Sequence, residues 1–333
     1  MKSRKSLFTF LFFFFLSYFG FAQNSNFSFK IEPLFGTRNG TLTEYVYNYS
    51  SVTGSEYKLS LLDWDLQNSL FYGLNADVCL KNFHIIANWK SFIPSKRGYM
   101  QDSDWLQDAY YHTGRTDIKT NYSIHDNNLL SGLNLGIALK YDINFGKVFT
   151  LAPFAEFNYE NYQLKANDGM CYYGNTIDGN TRHYYYPYDD INHRTVSPCT
   201  GNVVSLDRSD LYTWLGVETR FKTPDSRWIF SFDIAVSPYT YIYSIDNHHL
   251  THTDYLDISS AICYAVKANT FVQFNFTNYA GIKISALGLL TGEIKGSDYS
   301  KTNTETIYKK TGALTGSSSK YFDIQISGVI NFH

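Results

Sequence analysis

Two short acidic motifs carry the chemistry of this chain: Asp102-Ser103-Asp104, followed by Trp105, and Asp246-Asn247-His248. Side chains of a β-strand alternate faces with period two, so the outer members of each i, i+2 pair share one wall. Brought together, they supply three carboxylates and an imidazole, a set able to hold a water and take its proton. An acidic pair alone is more often a solvated group or a weak calcium ligand. The second pair, with its histidine, turns the reading toward hydrolysis.

The elements that must position these residues are strands. Lys2, Arg4 and Lys5 precede an apolar run from Leu7 to Phe19, closed by Gly20-Phe21-Ala22, the pattern of a secretory signal cut before Gln23. Residues 1–22 are therefore expected to be removed, leaving residues 23–333 as one domain. No later stretch approaches the roughly 20 apolar residues a spanning helix requires. The mature chain is then either a secreted soluble protein or a membrane barrel.

Composition favours the barrel. Aromatic residues make up 18% of the chain, led by 29 Tyr and 26 Phe, which suits aromatic girdles around a polar lumen. In Tyr321–Phe332, Phe322, Ile324, Ile326 and Ile330 alternate with Asp323, Gln325 and Ser327, so one face wants lipid and the other water. Leu62–Val78 and Leu211–Phe221 repeat the pattern. Noisier versions occupy Phe27–Phe35, Phe83–Ile93, Leu129–Ile143, Val148–Glu160, Trp228–Tyr243, Tyr255–Lys267 and Phe271–Leu287. About ten antiparallel strands follow, an even number that keeps both termini on the periplasmic side. A soluble β-sandwich would also alternate, but it would leave these long outward-aliphatic strands uncovered.

Connections alternate in length. Leu80-Lys81-Asn82, Asn144–Lys147, Thr223–Arg227 and Lys267–Thr270 read as short periplasmic turns, while 37–55, 94–122, 161–209 and 289–319 read as long extracellular loops rich in Gly, Ser, Thr and Asn. Both acidic motifs then fall on the extracellular side of the outer membrane. Strict alternation from the outward Phe230, Phe232, Ile234 and Val236 would nevertheless send Asp246 and His248 toward lipid. One extra residue, a β-bulge at Pro238, corrects the face.

The formal net charge of −2 leaves no basic stripe for nucleic acid. No C-x2-C pair suggests a metal site, and neither metal nor cofactor is expected. Cys171 and Cys199 share one polar segment, where a disulfide and free thiols are both open readings. Tyr172, Tyr173, Tyr184, Tyr185, Tyr186 and Tyr188 in the same segment could grip a protein substrate or pack on one another.

The residues Leu62-Asp63-Trp64, Ser95–Met100, Asp102-Ser103-Asp104-Trp105 and Asp246-Asn247-His248 resemble the omptin family, outer-membrane aspartyl-type endopeptidases on ten-stranded barrels. The resemblance implies a water held between His248 and Asp102. His248 would be the general base, Asp246 would orient it, Asp102 would hold the water, and Asp104 would support it or the tetrahedral intermediate. It also implies a pocket for a basic side chain, with Glu44 as one acid. At the other acid's position the chain has Ser244, which weakens or alters that preference. Protein or peptide substrates are the implied partners, and lipopolysaccharide is a further one, although no match to the family's basic lipid-binding residues is evident. The competing readings are an inactive adhesin or binding barrel of the same fold, and a lipid-modifying barrel enzyme.

Overall fold

Where one side of a strand faces lipid and the other a polar interior, alternation is enforced residue by residue, and most of this chain obeys it. The computed structural model describes residues 27–175 and 185–332; residues 1–22, the expected signal, lie outside that range. The strands are β1 (Phe27–Tyr49), β2 (Glu56–Asp65), β3 (Ser69–Leu80), β4 (Phe83–Phe92), β5 (Ser95–Asp104), β6 (Asn121–Tyr141), β7 (Ile143–Phe145) and β8 (Phe149–Gly174). They continue as β9 (Arg194–Pro198), β10 (Asn202–Lys222), β11 (Trp228–His248), β12 (Thr253–Ala261), β13 (Ala265–Asn275), β14 (Ala280–Thr291), β15 (Ile294–Thr302) and β16 (Lys309–Phe332). Among the described residues one short helix, α1, spans Gln107–Tyr111.

All pairings are antiparallel, and they close a barrel. At the turn end the ring passes through β1, β3, β4, β6, β8, β10, β11, β13, β14 and β16, and the β16–β1 pairing seals it. At the other end β2 and β5 replace β3 and β4 between β1 and β6, while β12 and β15 replace β13 and β14 between β11 and β16. Closure of the ten-strand ring leaves it no open edge among the described residues, which is what lets strands cross a bilayer. The outward face of the lower ring is apolar: Leu135, Ile137, Leu139, Phe230, Phe232, Ile234, Ile324 and Ile326 are all exposed. Phe83, Tyr141, Phe149 and Trp228 ring its turn end, and Tyr72, Trp89, Tyr239 and Tyr264 its upper end, as expected of interfacial girdles.

The lumen is filled. Arg38 forks onto Asp323 (2.7 and 2.9 Å) and reaches Glu160 (3.1 Å). Lys90 shares Asp323 at 3.1 Å, and the Tyr321 hydroxyl donates to Glu160 at 2.7 Å. The Arg38 guanidinium also lies 3.5 Å from the Tyr321 ring centroid. Trp214 is buried beside them, with the Lys267 ammonium 4.9 Å from its ring. Below this plug, toward the turns, lies a cavity of about 790 Å³ lined by Lys30, Glu32, His84, Lys140 and Glu218 among others.

The structure corrects the sequence reading in four places. The segments 37–55 and 289–319 are largely wall, not loop, and 94–122 and 161–209 are wall in part: β1 runs to Tyr49, β5 to Asp104, β8 to Gly174, and β16 starts at Lys309. Above the girdle the outer face meets water, so apolar alternation stops although the strand does not. Second, Leu62–Val78 is interrupted at Leu66–Asn68, where Asn68 takes a left-handed φ of 51°. The break inverts the faces, so that Leu62, Trp64 and Leu66 are buried inside while Tyr72 and Leu74 face outward. Third, Lys267–Thr270 is mid-strand in β13. Lys267 faces inward to Glu156 at 2.6 Å, and the actual turn lies at 276–279, where Thr277 Oγ1 accepts from the amides of Tyr279 and Ala280 (both 3.1 Å). Finally, the strand boundaries drawn at Tyr255–Lys267 and Phe271–Leu287 give way accordingly to β12 through β14.

Candidate active site

The bulge on β11 sets the face of one motif. Leu215 pairs with Val236 but Thr213 pairs with Tyr239, so β11 inserts one extra residue at Ser237-Pro238. Proline has no amide to lose from the ladder there. Below the bulge Ser231, Ala235 and Ser237 are the buried positions; above it Thr240, Ile242, Ser244 and Asp246 are. The inner wall therefore ends in Ser244, Asp246 and His248. Asp246 Oδ2 contacts His248 Nε2 at 2.7 Å, and the imidazole, 27% exposed, also meets the Tyr255 ring edge-on at 5.0 Å.

The other motif rises on β5. Asp102 is cross-strand from Leu62 on β2 and Ser123 on β6; Asp104 is cross-strand from Ser60 and Asn121. The Ser60 hydroxyl donates to Asp102 Oδ1 at 3.4 Å. In the upper ring β6, β8 and β10 separate β5 from β11 on one side, so the two motifs face each other across the mouth. They form one electrostatic group. Burial and the charge of Asp104 push the Asp102 carboxyl well above the usual carboxylate range, and the field of His248 opposes that rise. Burial likewise raises Asp104, against hydrogen bonds from Ser60 and Asn121. Burial alone would discharge the His248 imidazolium, but Asp246, then Asp102 and Asp104, outweigh it and raise His248 to about 9.

One step below Asp246 on the same wall, Ser244 faces Glu44 of β1. Glu44 is 3% exposed, and its Oε2 accepts from Trp64 Nε1 at 3.0 Å. Burial and the Asp246 charge raise Glu44 to about 7, with Arg208, Ser244 and Trp64 pulling the other way. Arg208 does not neutralise it directly: its donors go to Asp210 (2.8 and 3.1 Å), Thr43 O (3.3 Å) and Ser319 (2.7 Å). No sequence motif marks the residues around this spot. Ser60 and Asn121 could only be found by cross-strand register. Asp257 and Asp298 are lone acids in polar strands, and Asp257 proves to be the direct partner of both Ser244 and Asp298.

Of the remaining sequence candidates, His84 lines the lumen between Asp77 (2.9 Å) and Asp142 (3.3 Å). Cys171 and Cys199 form a disulfide with a Cα–Cα distance of 6.0 Å. Tyr185 packs on Tyr110 and Tyr111, and Tyr122 on Tyr172 and Tyr188; Tyr184 lies outside the described residues. Among the described residues no group of His, Cys, Asp and Glu has an arrangement suited to a metal ion.

A family model described as the Omptin family matches residues 24–322. Among solved structures, the outer membrane protease OmpT from Escherichia coli aligns with a TM-score of 0.74 at 16% identity, covering 93% of this chain and 99% of that one. The P. putida toluene transporter TodX (TM-score 0.29, 10% identity, 93% and 91% coverage) and the outer membrane protein OprG from Pseudomonas aeruginosa (0.36, 9%, 92% and 96%) also align. Comparison with curated proteins finds no match.

Proposed function

Because the chain belongs to the omptin family, we propose that it is an outer-membrane endopeptidase that cleaves peptide bonds at the outward mouth of its barrel by activating a water between β5 and β11. The observation that carries this reading is the convergence of Asp102, Asp104, Asp246 and His248 from two strands into one mutually perturbed group, with His248 held by Asp246 at 2.7 Å. His248 takes a proton from the water as it attacks the carbonyl, and the imidazolium then returns that proton to the leaving amine as the C–N bond breaks. Asp246 orients the ring and stabilises the imidazolium that forms. Asp102 positions the water, and Asp104 supports Asp102. Crowding places the carboxylates and the imidazole where a single proton passes readily among them, and such a cluster titrates as a unit.

Substrates are proteins or peptides entering from outside. Glu44 and Ser244 lie directly below Asp246, so the side chain preceding the scissile bond would descend toward a buried acid, which favours lysine or arginine. Lipopolysaccharide remains a proposed partner through the outer girdle.

The deciding experiment incubates purified, refolded protein with a mixed peptide library, alongside His248→Ala. Cleavage by the wild type that His248→Ala loses by roughly a hundredfold or more, with the variant still a heat-modifiable barrel, supports the assignment. Equal cleavage by both would remove His248 from the mechanism, and no cleavage by either would leave a binding barrel.

A further inference from the structure

We propose that Asp257, on β12, supplies the second carboxylate of the basic-side-chain pocket, in place of the acid that Ser244 lacks. The inference rests on the peptidase reading above and adds a specificity residue to it.

Strand register places the two residues side by side. Ser244 and Asp257 are direct cross-strand partners, and both side chains are buried in the inner wall. A carboxylate removed from β11 at position 244 is thus available from the adjoining strand, within the 4.5–5.5 Å typical of opposed Cβ atoms. Glu44 completes the group from the opposite flank: its charge is the strongest single-residue influence on Asp257.

The pocket is built but incomplete. Asp257, 7% exposed, accepts from Thr315 Oγ1 at 2.5 Å through Oδ2, while its Oδ1 has no hydrogen-bond partner among the described residues. Glu44 Oε1 and the Ser317 hydroxyl, a cross-strand neighbour of Glu44, are likewise buried without partners. Asp298 lies against Asp257 in side-chain hydrogen-bonding contact, so the two carboxyls share a proton that an incoming cation would displace. Neither Glu44 nor Asp257 forms an ion pair among the described residues, and Arg208 is committed to Asp210. Buried carboxyls gathered in this way are unfavourable as anions unless a proton or a cation comes between them. An ammonium or guanidinium, with its several N–H donors, satisfies them together. Position is also suitable: Ser244 and Asp257 lie two residues below Asp246, about 7 Å along the strand, a depth that a lysine or arginine chain spans from a carbonyl held at the rim.

The test compares kcat/KM on two quenched-fluorescence peptides differing only in Arg or Gln before the scissile bond, for wild type, Asp257→Asn and the double variant Asp257→Asn/Ser244→Asp. Asp257→Asn keeps an acceptor for Thr315. It is expected to lower kcat/KM on the Arg peptide by roughly ten- to hundredfold, mainly through KM, with less than about a twofold change on the Gln peptide; the double variant restores the preference by moving the charge across the strand pair. Equal losses on both peptides, or no loss on either, would overturn the assignment while leaving the peptidase reading intact. If Asp257→Asn does not give a heat-modifiable barrel, Asp257→Ser is judged by the same criteria. If the wild type cleaves neither these peptides nor the mixed library, the peptidase reading fails, and the pocket is then judged by agmatine binding measured calorimetrically. Binding that Asp257→Asn abolishes upholds the pocket; binding that is absent, or unchanged in the variant, sinks it.

Discussion

The plug and the mouth of this barrel are built from the same kinds of residue, and they differ in whether the charges balance. In the plug every acid has a base: Asp323 holds Arg38 and Lys90, and Glu160 holds Arg38. In the mouth Asp102, Asp104, Glu44 and Asp257 make no ion pair among the described residues, and His248 is paired only with Asp246. Balanced buried charge fixes a structure, whereas unbalanced buried charge is held in readiness for a proton or a ligand. The contrast distinguishes the plug's balanced network from the mouth's unbalanced one more sharply than any single motif does.

Exchanging the two regions' fates is the strongest way to break that contrast. Asp102→Ala is expected to cut kcat by about 10²- to 10⁴-fold with the folded gel mobility intact. Arg38→Ala, which takes the ion-pair partner from buried Glu160 and leaves Asp323 with Lys90 alone, is expected to cost about 3–5 kcal/mol of stability in urea titrations, while any barrel that folds retains most of its activity. If Arg38→Ala loses activity at unchanged stability, the plug is part of the site. Next in size is the pH response. The mouth carboxylates hold the His248 proton up to about 9, so neutral imidazole, the form needed in a base, grows as pH rises. The kcat/KM of the wild type should therefore climb between pH 6.5 and about 9. Asp246→Asn, by removing the largest stabilising charge, should shift the rise toward the ordinary histidine range with a lower plateau. A profile flat across that interval would rule out His248 as the base. Within the Asp-x-Asp pair, Asp104→Asn should cost less than Asp102→Ala, on the order of tenfold, because a supporting amide still receives the Ser60 and Asn121 hydrogen bonds. The smallest effect is expected from Ser244→Asp in the wild-type background: a few-fold sharper preference for Arg or Lys, measured by peptide profiling, since the new carboxylate adds to Asp257 and also repels it. A preference for acidic or apolar residues would show that Glu44 does not line that pocket.

Much of this was legible in the sequence, and the failures share one cause. β16 could be read directly from Phe322 to Ile330 because lipid and lumen impose opposite chemistries on its two faces. Even the bulge was legible, as a conflict of parity between Val236 and Asp246. The upper wall was not: once both faces meet water or a polar site, Leu164-Lys165-Ala166-Asn167 looks like loop although it pairs with β6 and β10. Lys267 misled for the opposite reason, since its charge is matched inside by Glu156 and not by solvent at a turn. Asp257 carries no local signature at all. Only the register that sets it beside Ser244 gives it meaning, and register between strands is what a linear sequence conceals best.

The insertion at Ser237-Pro238 makes the barrel wall behave like a coded message with a parity digit. Every residue beyond it is read in the opposite phase, so loss or gain of a single residue anywhere between Phe232 and Ser244 would exchange the contents of the inner and outer surfaces from that point to the rim. Changes of two residues would preserve the phase and alter only height. Among descendants of this chain, length variation in β11 is therefore expected in even steps, and an odd step marks a lineage that has given up the chemistry at its mouth.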